Sequence, residues 1–230
     1  MMSARAIQLL ILFFLWAMGS PPVGAQLLHT IEAPDDSGAF GQSTRCAGDV
    51  NADGFDDIIV GTSTNQLGSA RVYSGADGAL LYEWLGIDDN DQWGRSVDGA
   101  GDVNADGFDD VIVGGASVIV GPRHRPGVAV VFSGRDGSIL YAFQGVDDTD
   151  LFGGEVAGAG DIDADGFADV IVGAVFHSST AYHAGMVRVL SGRTGAVLYE
   201  KFGSAPNEWF GSDVGLAGDV NGDGHDDFLV

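Results

Sequence analysis

The ten residues GDVNADGFDD occupy positions 48–57, and the same ten return letter for letter at 101–110. Two variants follow, GDIDADGFAD at 160–169 and GDVNGDGHDD at 218–227. Their first aspartates are Asp49, Asp102, Asp161 and Asp219, so the motif recurs every 53 to 59 residues. Self-similarity at such a period is the mark of a repeat architecture. Other features keep step with it. An aromatic-glycine pair precedes each copy, at Phe40-Gly41, Trp93-Gly94, Phe152-Gly153 and Phe210-Gly211. An apolar run follows each one: DIIVGT, DVIVGGA, DVIVGAV and DFLV. After the first three comes a further unit, ARVYSGADGALLYEW, VAVVFSGRDGSILYAF or VRVLSGRTGAVLYEKF. Each of these reads as a strand, a Ser-Gly-x-x-Gly turn and a second strand, with glycine supplying positive φ.

One repeat therefore holds four short strands. In the first copy A is expected at 42–47, B at 57–62, C at 70–74 and D at 79–85. The acidic loop joins A to B, and the Ser-Gly turn joins C to D. Strand B is almost wholly apolar, as a strand covered on both faces must be. The repeats fall at about 40–86, 93–145, 152–203 and, in part, 210–230. A lone four-stranded sheet with two apolar faces cannot bury both, whereas blades packed around an axis can. The fold class expected is all-β, a β-propeller of four-stranded blades with about three and a half repeats visible. A linear solenoid is the rival, but its coils are usually shorter. Residues 27–43 align with 80–96, so the mature chain is expected to open on a D strand. It closes inside a B strand, as a fragment or incomplete ring would. Association through open blade edges is a further expectation.

The 230 residues carry a formal net charge of −23, with 10 Lys plus Arg against 33 Asp plus Glu. Such a chain repels nucleic acid and anionic membrane surfaces and suits divalent cations or a basic partner. A hydrophobic content of 45% argues against disorder despite the charge. The N-terminus reads as a secretory signal over 1–25: Arg5, an apolar run at 7–18, then small residues ending at Ala25. The run is short for a bilayer span of about 20 residues, and no later stretch could span. A secreted or cell-surface protein is expected. The single cysteine, Cys46, permits no internal disulfide.

Within the acidic loop, oxygen side chains fall at positions 1, 3, 5 and 9, with glycine at 6. The candidate metal ligands are Asp49, Asn51, Asp53 and Asp57; Asp102, Asn104, Asp106 and Asp110; Asp161, Asp163, Asp165 and Asp169; and Asp219, Asn221, Asp223 and Asp227. The main-chain carbonyl at position 7 is the natural further ligand, from Phe55, Phe108, Phe167 and His225. Oxygen ligands at odd positions around a glycine turn suit a hard cation, and Ca²⁺ is the cofactor expected. An EF-hand needs glutamate at position 12 and flanking helices. Position 12 is instead Val60, Val113, Val172 and Val230, and the flanks are β-like. A dockerin-like repeat fails on the same ground. Mg²⁺ prefers a smaller, water-rich shell, and zinc lacks its usual His and Cys ligands. The competing reading is a solvated acidic turn; four copies in register, each with all four oxygen side chains, argue against it.

The order aromatic-Gly, Asp-x-Asn/Asp-x-Asp-Gly-x-x-Asp, then an apolar strand into Gly-Ala or a variant resembles the FG-GAP repeat. That repeat builds the β-propeller of integrin α subunits and occurs in many secreted bacterial proteins. The resemblance covers essentially 27–230. Trp93 replaces phenylalanine in the second copy, and the Gly-Ala-Pro element is altered at Gly61, Gly114 and Gly173. The resemblance implies calcium in the A–B loops at the rim, adhesion or recognition elsewhere, and no catalysis.

No nucleophile elbow or phosphate-cradling loop is present, and the protein is not expected to be an enzyme. His177 and His183 share the stretch FHSSTAYH with no carboxylate or cysteine close in sequence, and a surface loop is expected there. The B–C loops at 116–127 and 174–185 are longer than the first, and one carries Arg123, His124 and Arg125. Inserted loops on one face are where binding usually resides. Cys46 aligns with Gly99, Gly158 and Leu216, and a buried, inert thiol is expected. The function these features support is a secreted calcium-binding module for an unknown protein or glycan ligand. The alternative is the non-catalytic propeller part of a larger secreted hydrolase.

Overall fold

The computed structural model describes residues 28–33, 39–63, 67–88, 91–118 and 125–230. The expected signal segment, together with Arg123 and His124, lies outside them. The described residues form fourteen strands and no helix. The first blade holds β1 (Ser43–Gly48), β2 (Asp57–Thr62), β3 (Ser69–Tyr73) and β4 (Leu80–Leu85). The second holds β5 (Trp93–Gly101), β6 (Asp110–Gly115), β7 (Val128–Phe132) and β8 (Ile139–Gln144). The third holds β9 (Phe152–Gly160), β10 (Asp169–Ala174), β11 (Met186–Leu190) and β12 (Val197–Phe202). A fourth sheet pairs β13 (Gly215–Gly218) with β14 (Asp227–Leu229). Each full blade is an antiparallel meander with its strands in sequence order. The protein is an all-β propeller of four-stranded blades.

Period-two alternation explains how the blades hold together. Strands β2, β6 and β10 are buried at every residue. Val111 and Val113 of β6 point back into a cluster with Ile59 and Val72 of the first blade. Ile112, between them, points forward into a cluster with Val170 and Val172 of the third. Ile171 of β10 in turn faces Ala157, Val189 and Phe228. Each B strand thus spends one face on the preceding interface and the other on the next. Full burial of such a side chain stabilises by roughly 1.5–3 kcal/mol. The D strands β4, β8 and β12 form the outer edge and are partly to largely exposed.

The aromatic-glycine turn fixes the spacing between blades. A Cβ on Gly61 would lie 2.2 Å from the Gly94 carbonyl oxygen, one on Gly114 2.1 Å from that of Gly153, and one on Gly173 2.2 Å from that of Gly211. Only glycine on the B strand lets the next blade's turn come this close.

Two expectations need correction. Residues 28–33 form no strand. They still sit where a D strand would: His29 Nε2 lies 3.0 Å from the Gly75 carbonyl oxygen, and Ile31 is buried with Ile58, Val60 and Tyr73. No strand C among the described residues is there to pair with them. Cys46, expected buried, is exposed. Its counterparts lie against the preceding blade: a Cβ on Gly99 would be 2.8 Å from the Cys46 carbonyl oxygen, and one on Gly158 2.5 Å from that of Gly99. Among the described residues no strand takes that place beside Cys46.

Candidate metal centre

The acidic loops lie at the end of each blade that also carries the C–D turn, because an antiparallel meander brings alternate connections to the same side. The first residue of each loop organises the turn. Asp49 accepts the N–H of Asp53 on Oδ1 at 2.9 Å and of Gly54 on Oδ2 at 2.8 Å. Asp102 does the same for Asp106 and Gly107 at 3.0 and 2.9 Å, and Asp161 for Asp165 and Gly166 at 2.9 Å each. Asp219 takes Asp223 and Gly224 at 3.1 and 2.9 Å. Asn51 and Asn104 each add a bond to the position-5 N–H at 2.9 Å. Position 5 then caps position 7: Asp53, Asp106, Asp165 and Asp223 accept from Phe55, Phe108, Phe167 and His225 at 3.0–3.1 Å.

This folding needs two left-handed residues per loop. Position 6 is glycine throughout, at φ +87° to +90°. Position 4 is Ala52, Ala105 and Ala164 at φ 55° to 57°, and Gly222 at 77°. An L-residue held there costs about 1 kcal/mol or more. The tight turn gathers the oxygens. In the third loop the carboxylate oxygens of Asp161, Asp163 and Asp165 lie within 4.8 Å of one another. Loops one, two and four carry Asn51, Asn104 and Asn221 at position 3, so the position-3 oxygen there is an amide.

The position-9 aspartate stands apart from that set. Asp57, Asp110 and Asp169 are at most 1% exposed. One oxygen of each accepts the loop's own position-2 N–H, from Val50, Val103 and Ile162 at 2.8–3.0 Å. The other accepts the C–D turn glycine, Gly75, Gly134 or Gly192, at 2.9–3.0 Å. Asp227 has the first bond, to Val220 at 3.0 Å. Burial pushes Asp110 up to about 7 and Asp169 up to about 6, outweighing the two N–H bonds that pull each down. Asp57 is shifted in the same direction by the same cause. The exposed Asp219 is held below the ordinary range, first by the Gly224 N–H.

Cations of the chain lie close by. Arg193 stacks over the Phe167 ring at 5.3 Å and brings Nη1 to 4.0 Å from Asp165 Oδ2, and Arg135 covers Phe108 at 5.7 Å. His225 turns its ring away from its own loop, with Nδ1 2.9 Å from the Ile162 carbonyl oxygen.

The opposite face holds a pair that the sequence reading missed. His177 Nδ1 lies 2.7 Å from Asp150 Oδ2, and both residues are buried. Asp147 brings a third ligand atom within 4.8 Å of theirs. The partner comes from 27 residues upstream, which is why FHSSTAYH shows no carboxylate nearby. A signal existed in the acidic residue two places before the last three aromatic-glycine pairs. Asp91 accepts the N–H groups of Ile87, Asp88 and Trp93, and Glu208 those of Ser204 and Ala205. Asp150 holds the same position in its own loop. Nearby, Arg95, Leu151, Glu155, Val175, Phe176 and Trp209 line a cavity of about 220 Å³.

Comparison with known proteins agrees with this architecture. The family model for the FG-GAP repeat matches residues 45–76 and 152–190, so the chain carries FG-GAP repeats. Integrin alpha-5 of Xenopus laevis is 28% identical over 215 residues, covering 85% of this chain and 20% of that protein. Integrin alpha pat-2 of Caenorhabditis briggsae is 30% identical over 173 residues, covering 63% and 14%. The chain thus spans about a fifth or less of the length of these relatives. Among solved structures, a rhamnogalacturonan lyase of Bacillus licheniformis superposes with a TM-score of 0.54 at 17% identity, over 80% of this chain and 38% of that one. The rhamnogalacturonan lyase YesW gives 0.54 at 20% identity, over 80% and 39%. At these identities the likeness is one of fold. No helix among the described residues is long and apolar enough to cross a membrane.

Proposed function

We propose that this chain, an FG-GAP repeat propeller related to integrin alpha chains, is an exported calcium-binding module that recognises a protein or glycan and is not itself an enzyme. The observation that carries the calcium reading is the convergence of Asp161, Asp163 and Asp165 within 4.8 Å on a loop whose turn recurs in four copies. A donor set made only of oxygens fits a hard cation, and three carboxylates this close repel one another without one. Positions 1, 3 and 5 would hold the ion through side chains, position 7 through its carbonyl, and position 9 through a lone pair left over from its two N–H bonds. The ion would supply positive charge and a fixed turn, with no chemistry beyond that. Export is supported by the apolar run at 7–18 followed by small residues up to Ala25.

Extracellular calcium modules bind with dissociation constants of about 10⁻⁴–10⁻³ M. At millimolar calcium each site would then add about 0.4–1.4 kcal/mol. In a chain with one cysteine, several such sites take the place of disulfides. Thermal unfolding in millimolar calcium and in excess chelator tests this. A melting temperature several degrees lower in chelator is expected, and an unchanged melt rejects the reading.

A second reading makes the propeller the non-catalytic part of a larger secreted hydrolase; its likeness in fold to the two lyases is consistent with a place in a larger enzyme. Sequencing of the gene beyond codon 230 separates the two: a further domain with a catalytic constellation favours the second reading, and further repeats in register favour the first.

A further inference from the structure

The eighth residue of the acidic loop is not among the proposed ligands, yet in two loops it grips the preceding blade. Asp109 Oδ2 accepts the N–H of Asp49 at 2.9 Å, and the Asp109 N–H donates to the Asp49 carbonyl oxygen at 3.3 Å. Asp226 makes the same two bonds to Asp161, at 2.9 and 3.2 Å. The glycine before each gripped residue leaves room for the incoming carboxylate. A Cβ on Gly48 would lie 2.2 Å from Asp109 Oδ2, and one on Gly160 2.2 Å from Asp226 Oδ2. The third loop has Ala168 at this position. It keeps only the main-chain bond, Ala168 N–H to the Asp102 carbonyl oxygen at 3.1 Å.

We propose that Asp109 and Asp226 are positioning residues that couple the calcium sites in pairs, loop two to loop one and loop four to loop three, with Ala168 interrupting the chain between loops two and three. The proposal rests on the calcium reading above. Asp109 is joined by one peptide bond to Asp110, the position-9 ligand of its own loop. It holds both main-chain polar groups of Asp49, the position-1 ligand of the neighbouring loop. Phe108, whose carbonyl is the proposed position-7 ligand, precedes Asp109 directly, so an ion held there restrains Asp109, and a restrained Asp109 fixes the backbone of Asp49 before the second ion arrives. Ordering entropy removed by the first ion is not lost again on binding the second, which is positive coupling, and by linkage it runs equally in both directions.

Calcium titrations of the full chain, followed by NMR on the amides of Gly54, Gly107, Gly166 and Gly224, report each loop separately. Asp109→Ala is expected to raise the calcium midpoint at Gly54 about three- to tenfold, the net size of one ordinary hydrogen bond. The midpoints at Gly166 and Gly224 stay in place. Asp109→Asn keeps an acceptor oxygen and is expected to restore the wild-type midpoint, which a purely electrostatic role would not allow. Ala168→Asp is expected to lower the midpoint at Gly107. An Asp109→Ala midpoint unmoved at Gly54, or shifted equally in all four loops, overturns the coupling. Should that variant not fold, an unchanged Gly107 midpoint in Ala168→Asp overturns it instead. A wild-type chain in which no glycine amide responds to calcium rejects the calcium reading itself, a result distinct from these.

Discussion

The Tyr82 hydroxyl donates to the carbonyl oxygen of Gly134 at 2.7 Å, across the boundary between the first and second blades. Beside it the Trp84 indole N–H donates to the Gly137 carbonyl oxygen at 3.1 Å, and its ring stacks on Phe132 at 4.3 Å. The outer strand of one blade is therefore tied to the C–D turn of the next. Tyr82→Phe removes one hydrogen bond and little packing. It is expected to lower stability by about 1 kcal/mol in urea unfolding. Trp84→Ala loses the stack as well and is expected to cost about 3 kcal/mol or more.

Asp110 is the hub of its blade's metal-loop end, because its two oxygens satisfy Val103 and Gly134 N–H at once. Asp110→Ala leaves two buried donors without an acceptor, at about 1–3 kcal/mol each. A loss of about 2–5 kcal/mol is expected in excess chelator, where no ion contributes. Asp227→Ala removes only exposed bonds, from Val220 N–H and, at 3.5 Å, from Asn221 Nδ2, and is expected to cost less than about 1 kcal/mol. Equilibrium unfolding of both variants checks the order.

The pH dependence follows from the buried carboxyls. Asp110 is raised from 3.8 to about 7, and Asp98 and Asp169 to about 6, each first by burial. A raised acid favours the folded state fully below its unfolded value and loses that contribution as pH rises through its folded value. Without calcium the chain is therefore expected to melt higher at about pH 5 than at about pH 7.5. Calcium requires the ionised form, so millimolar calcium is expected to shrink or reverse the difference. Melting curves at both pH values, with and without chelator, check the sign. Asp98→Asn, outside the loops and not among the proposed ligands, is expected to flatten the chelator curve without changing the calcium response.

Gly114 is where the turn of the third blade meets the second. Gly114→Ala places a methyl group about 2 Å from the Gly153 carbonyl oxygen, well inside contact distance. A loss of about 1–3 kcal/mol is expected from the forced separation of the blades. Gly107→Ala meets nothing within 4 Å and suffers only its φ of +87°, so it is expected to cost about 1–2 kcal/mol. Calorimetry on the two variants distinguishes crowding from backbone strain.

The blade was legible in the sequence because its determinants are local. The B strands show their double burial as unbroken apolar runs, and the acidic loop shows its turn in the glycine at position 6. What stayed hidden depends on residues of another blade or another loop. Nothing near His177 in the chain announces Asp150, and nothing near Asp109 announces Asp49. Cys46 looked like a core residue because it aligns with Gly99 and Gly158; those are covered by a preceding blade, and Cys46 is not. Residues 28–33 have the pattern of a D strand but meet no C strand among the described residues, and pairing, not pattern, makes a strand.

The repeated contact between a B-strand glycine and the next blade's aromatic-glycine turn has a consequence for how such a protein can grow. Gly61 with Gly94, Gly114 with Gly153, and Gly173 with Gly211 are one joint written three times. Duplicating a whole blade in the gene reproduces both halves of that joint in register. Blade number can therefore change by copying alone, while the loops that face outward diverge under separate selection.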